Sequence, residues 1–508
     1  MAINQLKAGA ALSYVSIALN NVIGLLYMPF MLRMMGQNEY GLYSLVSSVV
    51  AYLTVLDLGF ANAIVRYTAK LRAERKLKEQ YEMFGMFFIL YCGIGIMAFL
   101  IGLVLYFNVD TLFDRTMSVD DLDKVRIMLL LMIFNLAFTF PMSIWGAIIT
   151  AYENFVFQKL VNIARIVLNP LVMIVLLLMG YKAIAMVVVI TLFNVLTLLM
   201  NAWYCKYRLH IQIHFARFKW SFLREVSVYS FWIFLNVIMD RIYWSTGQFV
   251  LGMFVGATAV AVYAIAIQLE QIFMSFSTAI SGVFLPKVTA MVTKNNDEKA
   301  ISDLFIRTGR IQYLIMLFVL IGFILFGKTF INLWAGKEYE DAYIISLLFF
   351  IPLTVPLIQN LGITILQARN QMKFRSLLYV AIAIASLGIS VPLAKQYGGI
   401  GCAVGTSLAL IGGQIIAMNI YYYKKIHINI PLFWNEIGKM SLAPIGIGVI
   451  VWILLQQLIL SNWWLLVVSI LLFSVCYVPL IWKVSMNDYE RNLFGAPFQK
   501  VYQKVIRK

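Results

Sequence analysis

An acid and a base stand side by side at Asp240–Arg241, inside the apolar run Phe231–Val255, FWIFLNVIMDRIYWSTGQFVLGMFV. A helix over that run is long enough to cross a ~30 Å hydrocarbon core. A charge at such depth costs about 3 kcal/mol on insertion scales and roughly 10 or more in simulations, so intramembrane charges face a bundle interior or a wet cavity and are candidates for ligand or ion chemistry. A guanidinium offers paired donors to phosphate or carboxylate. A carboxylate can neutralise a neighbouring cation or exchange a proton or sodium ion. Adjacent helix residues point in different directions, so this pair need not bond. Asn236, Asp240, Tyr243 and Gly247 recur at helical spacing and make one polar or small face. The other acids within apolar runs are Asp57 and Glu270.

These residues must be positioned by membrane helices. The chain has 508 residues, 62% hydrophobic and 12% charged, and its mean hydropathy is +0.86. That composition excludes a soluble globular protein. Its apolar runs span ~20 residues, the length of a transmembrane helix, and only helices satisfy their backbone within one such run. The expected fold is an all-α polytopic membrane protein with fourteen spans, near 10–34, 40–64, 83–107, 126–150, 160–179, 183–205, 228–254, 259–284, 308–333, 342–366, 376–394, 400–422, 440–460 and 463–482. The N-terminal stretch reads as a retained first span, not a cleaved leader.

Lys and Arg alternate between basic and nearly neutral connections. With the N-terminus inside, 31 fall on the inner side and 8 on the outer, which predicts cytoplasmic termini. The net charge of +17 is thereby read as topology and attraction to anionic inner-leaflet lipid, not as nucleic-acid binding. Cys92, Cys205, Cys402 and Cys476 form no CxxC pair and no disulfide framework. His210 and His214 have a spacing that could hold a metal on a helix, but no Cys or carboxylate is near them in sequence, so they and His427 read as structural or interfacial. No cofactor is expected beyond a coupling H+ or Na+. Gly322–Thr329, GFILFGKT, matches a phosphate-loop pattern. It lies at the end of an apolar span, however, and not between a strand and a helix.

The halves of the chain repeat. Tyr207–Ile213 (YRLHIQI) parallels Lys424–Ile430 (KKIHINI), Gly146–Tyr152 parallels Gly362–Ala368, and Gly36…Tyr43 parallels Gly256…Tyr263. Spans one to six therefore recur as seven to twelve, with two spans appended. This predicts a six-helix lobe over 1–205, a cytoplasmic inter-lobe loop over 206–227, a second lobe over 228–422, and two helices with a tail over 423–508. An even number of spans per repeat relates the lobes by an axis along the membrane normal, with a cleft between them. The repeat carries Asp240–Arg241 onto Asn20–Asn21. On the first span, Ser13, Ser16, Asn20, Gly24 and Tyr27 share one polar or small face. These residues either line a cavity or make interhelical hydrogen bonds within a lobe.

MPFMLRMMGQNEYGLYSLVSSVV (Met28–Val50), LDLGFANAIVRYTAK (Leu56–Lys70), AYENFVFQKLVNIAR (Ala151–Arg165) and ILQARNQMKFRSLL (Ile365–Leu378), taken in order with the topology, resemble the polysaccharide-transporter branch of the multidrug/oligosaccharidyl-lipid/polysaccharide exporter superfamily. The resemblance implies a flippase that carries a polyprenyl-diphosphate-linked oligosaccharide, an O-antigen, capsule or exopolysaccharide repeat unit, across a bacterial inner membrane by alternating access. It also implies a cationic cavity between two lobes, and a polysaccharide polymerase and glycosyltransferases as partners. A diphosphate and a string of hydroxyls need a wet, positively biased path. Arg241 and Arg66 are then the phosphate candidates, with Asp240, Asn236, Asn20 and Asn21 beside them. Asp57, Asp240 and Glu270 are the ion-coupling candidates. Arg33 is a gate residue or snorkels to the interface, and Arg165, beside Asn162 and Asn169, packs or lines the cavity. The alternatives are a multidrug antiporter or a peptidoglycan-precursor flippase of the same superfamily. A membrane glycosyltransferase or polymerase would be expected to carry a larger hydrophilic domain, and no catalytic triad or metal cluster marks the chain as an enzyme.

Overall fold

The structure is a computed structural model. It describes the chain except residues 1–4, 216–219, 221–223, 225–233, 235–237, 239–240, 242, 295–296, 370, 457–461 and 496–508. Among the described residues there are helices and no strands. In chain order they are α1 (Gln5–Met35), α2 (Gln37–Leu53), α3 (Phe60–Ala73), α4 (Leu77–Phe107), α5 (Val109–Phe113), α6 (Val119–Ala151), α7 (Phe155–Leu178), α8 (Ala183–Tyr207), α9 (243–254), α10 (Ala257–Lys294), α11 (Glu298–Trp334), α12 (Asp341–Ile358), α13 (Leu361–Ala368), α14 (Lys373–Leu410), α15 (Met418–Lys424), α16 (Ile430–Leu455), α17 (Trp463–Val484) and α18 (488–495). A π-helical turn, Ile411–Ala417, joins α14 to α15.

Twelve helical stretches among the described residues are long and apolar enough to cross a membrane. Two physical details account for the difference from fourteen. Nearly half of the expected seventh span, including 228–233, lies outside the described residues. The expected eleventh and twelfth spans run together over Lys373–Lys424, where the break is a single residue, Gly398, at φ 59 and ψ −138. Only glycine takes that backbone without steric cost. The acidic segment between α4 and α6 is partly helical. Val109 and Phe113 of α5 are buried, and α6 starts at a capping box in which the Ser118 hydroxyl accepts from the Asp121 N–H.

The sequence repeat has a backbone counterpart. Gly36 (φ 82) and Gly256 (φ 123) open α2 and α10, and Gly180 (φ 91) parallels Gly398. His210 (φ 50) and His427 (φ 59) are both left-handed. Just beyond them, the Ile211 N–H reaches back to the Cys205 carbonyl and the Ile428 N–H to the Tyr422 carbonyl, each at 3.0 Å. The histidines therefore occupy the left-handed helix-terminating position that glycine usually fills. They are not a helical metal pair, because 210–215 is not helical. Both side chains are exposed, so His210→Gly and His427→Gly should each stabilise the fold by ~1 kcal/mol through relief of left-handed strain. Thermal unfolding in detergent would show it as a raised midpoint, whereas His210→Val should lower it.

Contacts divide the chain into two compact units. One is Met1–Ala264 with Ser390–Cys402; the other is Ile265–Ile389 with Ala403–Lys508. Units defined by contact need not share boundaries with lobes defined by repetition. In the first unit, α4 packs on α6 through small residues. A Cβ at Gly95 would meet the Ala137 carbonyl at 2.7 Å, and one at Gly102 would meet Ile133 at 2.6 Å. Close backbone approach of this kind replaces the hydrophobic driving force that lipid cannot supply. A core of Phe60, Phe84, Phe87, Tyr91, Ile144 and Ile148 fills the α3–α4–α6 junction. Helix α9 joins this unit by polar contacts: Tyr52 Oη lies 2.5 Å from Thr246 Oγ1, and Thr116 Oγ1 donates to the Gly252 carbonyl at 2.7 Å. Glu39 accepts from Lys124 Nζ at 2.9 Å and from the Ala183 N–H at 3.3 Å, which fastens α2 to α6 and α8.

In the second unit the appended helices are bolted on by charge. Arg310 of α11 is 6% exposed and Glu490 of α18 is 1% exposed. Arg310 Nε donates to Glu490 Oε1 at 2.6 Å, Nη2 to Glu490 Oε2 at 3.1 Å, and Nη1 to Glu436 Oε2 of α16 at 2.6 Å. The phosphate-loop look-alike lies wholly within α11, so its N–H groups are committed to the helix. Its Lys328 pairs with Glu340 at 2.6 Å.

Candidate functional site

Asparagine is costly in a membrane helix unless it meets a partner or water. Four asparagines converge in the first unit, one each from α1, α6 and α8 and one from α7. Asn20, Gly24 and Tyr27 of α1, Asn135 of α6, Arg165, Asn169 and Pro170 of α7, and Asn194 of α8 line a cavity of ≈ 470 Å³. Gly24 has open space where a side chain would stand, which keeps this wall of α1 wide. Pro170 lacks an N–H and so frees the carbonyl of Ile166 from the helix ladder; Ile166 also lines the cavity.

The wall formed by α6 and α8 is pre-organised. Asn194 Nδ2 donates to Asn135 Oδ1 and to Thr139 Oγ1, both at 2.8 Å. Thr139 Oγ1 in turn donates to the Asn135 carbonyl at 2.7 Å. This network pins α6 to α8 and leaves the Asn135 amide N–H groups and the Asn194 amide oxygen for a ligand, a donor and acceptor set suited to hydroxyls.

Arg165 is the one charged residue of the lining. Among the described residues its side chain makes one polar contact, a long 3.5 Å approach of Nη2 to Asn162 Oδ1 on its own helix, beyond the range of a good hydrogen bond. No carboxylate among the described residues forms an ion pair with it. A half-buried guanidinium without a counter-charge is an unbalanced cost in a membrane lobe, and an anion with two adjacent oxygens would meet its fork.

The sequence-derived candidates fall in different places. Asn20 lines the cavity, as do Gly24 and Tyr27 of the same face. Ser13 instead bonds the Gly9 carbonyl at 2.8 Å, Ser16 is buried, and Asn21 is half-buried outside the lining. Arg66 is exposed on α3, with its guanidinium 5.8 Å from the Tyr67 ring centre. Arg33 is exposed in the last turn of α1. Asp57 ends the turn between α2 and α3 and accepts from the Tyr91 hydroxyl at 2.9 Å, a contact that fixes a helix break. Glu270 is fully buried in α10. Arg241 is helical and exposed, while Asp240 and Asn236 lie outside the described residues. Asn135 and Asn194 were not singled out from the sequence. Their signal was there, a lone amide in the middle of an apolar span, but nothing along the chain says that two such amides meet.

Comparison with known proteins agrees with this architecture. A Shigella flexneri protein provisionally named an O-antigen transporter is 20% identical over 420 residues, 80% of this chain and 94% of its own. A Haloferax volcanii protein provisionally named a low-salt glycan biosynthesis flippase is 22% identical over 39% of this chain and 41% of its own. Among solved structures, the lipid II flippase MurJ in an inward closed conformation superposes with a TM-score of 0.70 at 15% identity, covering 92% of this chain and 99% of that one; this likeness is one of fold. The sequence profile of the polysaccharide biosynthesis protein family matches residues 6–292, more than half of the 508. This multi-pass membrane protein belongs to the polysaccharide biosynthesis protein family.

Proposed function

We propose that the protein is a flippase that carries a polyprenyl-diphosphate-linked oligosaccharide repeat unit, of an O-antigen, capsule or exopolysaccharide, across the bacterial inner membrane by alternating access. The observation that carries this reading is Arg165, an uncompensated guanidinium in an asparagine-lined cavity of the membrane lobe. The cation suits a diphosphate, the amides suit sugar hydroxyls, and the lipid tail can stay in the bilayer. The family and the names of the two relatives support it. In this reading both termini are cytoplasmic, the chain transports without covalent catalysis, glycosyltransferases supply the substrate and a polymerase consumes the product.

A second reading, a peptidoglycan-precursor flippase, is favoured by the likeness to the lipid II flippase fold. Complementation separates the two. A strain lacking its repeat-unit flippase should regain surface polysaccharide when this chain is expressed, and a strain depleted of its peptidoglycan-precursor flippase should not be rescued. Rescue of the second strain alone would reverse the assignment.

A further inference from the structure

Each half of the chain builds the same small joint at a helix end. In the first unit Phe157 of α7 stacks on Tyr204 of α8 with ring centres 3.8 Å apart. In the second, Phe374 of α14 stacks on Tyr421 of α15 at 4.1 Å. The two pairs are related by the offset that carries YRLHIQI onto KKIHINI. The charges around them differ. Glu153 directly follows Gly146–Tyr152, and its counterpart directly after Gly362–Ala368 is Arg369. The second joint gathers Arg369, Lys373, Arg375, Lys424 and Lys425, and neither 366–380 nor 416–430 contains an acid.

The two guanidinium groups are fixed but not neutralised. Arg369 Nη1 donates to the Ile426 carbonyl, just past α15, at 3.1 Å. Its Nε and Nη2 are shielded from solvent and meet no acceptor among the described residues. Arg375 Nη2 donates to the Tyr379 hydroxyl, one turn on, at 3.0 Å, and its charge lies 4.5 Å from the centre of that ring. Lys373, Lys424 and Lys425 are exposed. Among the described residues none of these five cations forms an ion pair. The Phe374–Tyr421 stack and the Arg369–Ile426 bond hold the start of α14 against the end of α15, so the five charges share one rim. Like charges gathered without counter-charges repel one another, and a bound anion removes that repulsion.

The surface next to the cations is apolar. Leu377 of α14, and Ile416 and Ile420 on the π-helical turn and α15, are exposed in the neighbouring turns, within a helical stretch apolar enough to span a membrane. A free phosphate has no use for such a surface, whereas a phospholipid meets both parts of it. We propose that this rim binds an anionic phospholipid. Its phosphodiester is held by Lys373, Arg375, Lys424 and Lys425, with the charge of Arg369 behind them, and its acyl chains lie along Leu377, Ile416 and Ile420. With cytoplasmic termini this is a lipid of the inner leaflet, where anionic headgroups attract basic residues at helix ends. It is a resident lipid and not the cargo, so the site does not depend on which glycan is carried.

The test uses the full-length protein in mild detergent, with phosphatidylglycerol, phosphatidylcholine and inorganic phosphate as probes. Native mass spectrometry should show the wild type retaining phosphatidylglycerol in preference to phosphatidylcholine. Arg375→Gln with Lys424→Gln should lower that retention about tenfold or more, because each basic residue at an anionic lipid surface contributes a factor of about five. Lys70→Gln with Lys78→Gln removes the same charge from an exposed stretch of the first unit and should retain lipid as the wild type does. If the first double variant fails to fold, Lys373→Gln with Lys425→Gln, both at exposed positions, takes its place with the same expected loss. Equal retention of the two lipids, an equal loss in the Lys70/Lys78 variant, or displacement of the lipid by inorganic phosphate would overturn the proposal. Preferential capture of polyglutamate would also overturn it, making the rim a docking surface for an acidic protein. Failure of complementation would leave lipid retention intact and would count only against the transported substrate.

Discussion

Arg165→Ala should lower export of the lipid-linked glycan by on the order of 10- to 100-fold at normal protein levels, since a hydrogen bond to a charged group is worth ~1.5–3 kcal/mol. Arg165→Lys should fall between, because it keeps the charge and loses the paired donors. Stability should move the other way. Arg165 has no carboxylate partner among the described residues and only a long contact to Asn162, so removing it abolishes a desolvation cost without stranding an anion. The expected signature is lost export with an unchanged or raised melting midpoint. Measuring surface polysaccharide and detergent stability on the same preparations checks both halves. Full export by Arg165→Ala would remove the cavity from the transport path.

The buried cluster Arg310–Glu436–Glu490 should show the opposite signature. Arg310→Met strands two carboxylates, one of them only 1% exposed, and breaking a buried pair from one side costs ~3–5 kcal/mol. A sharp fall in melting midpoint and in membrane-inserted protein should follow. Adding Glu490→Met to Arg310→Met should restore part of the loss, because an apolar pair of similar volume leaves fewer unpaired buried charges. If the double variant loses the sum of what Arg310→Met and Glu490→Met lose singly, the pair contributes nothing beyond its separate residues. The cluster joins α11 to α16 and α18, so the variants also test whether the last helices form part of the folded second unit or an independent addition.

These two sites mark where sequence reading stops. A ~20-residue apolar run, its helicity and its membrane location follow from local chain chemistry, and the repeat was legible because the same local signals recur at a near-constant offset. His210 and His427 show this at single-residue scale: matching sequences produced matching left-handed helix ends. Asn20, Gly24 and Tyr27 were legible as one face by helical spacing, and the structure places them on one cavity wall. Which other walls they would meet was not legible. Asn135, Arg165 and Asn194 come from three different spans, and intrahelical periodicity carries no information about which helix lies opposite. In the sequence Arg165 reads equally well as packing or as lining; the structure places it in the lining, with no carboxylate paired to it among the described residues.

The same reason separates Arg310 from Arg165. In sequence both are single arginines in or beside an apolar span. Arg310 counts as one more basic residue of a cytoplasmic connection until a carboxylate 180 residues away closes on it. Glu270 gives the mirror case: its place in a span is plain in the sequence, but only the tertiary structure leaves both of its oxygens without a partner among the described residues. Class, helices, repeat and the list of costly polar residues were determined by the sequence itself, because they depend on neighbours along the chain. Which of those residues are balanced and which stand uncompensated was decided by tertiary packing, because charge compensation is a property of neighbours in space.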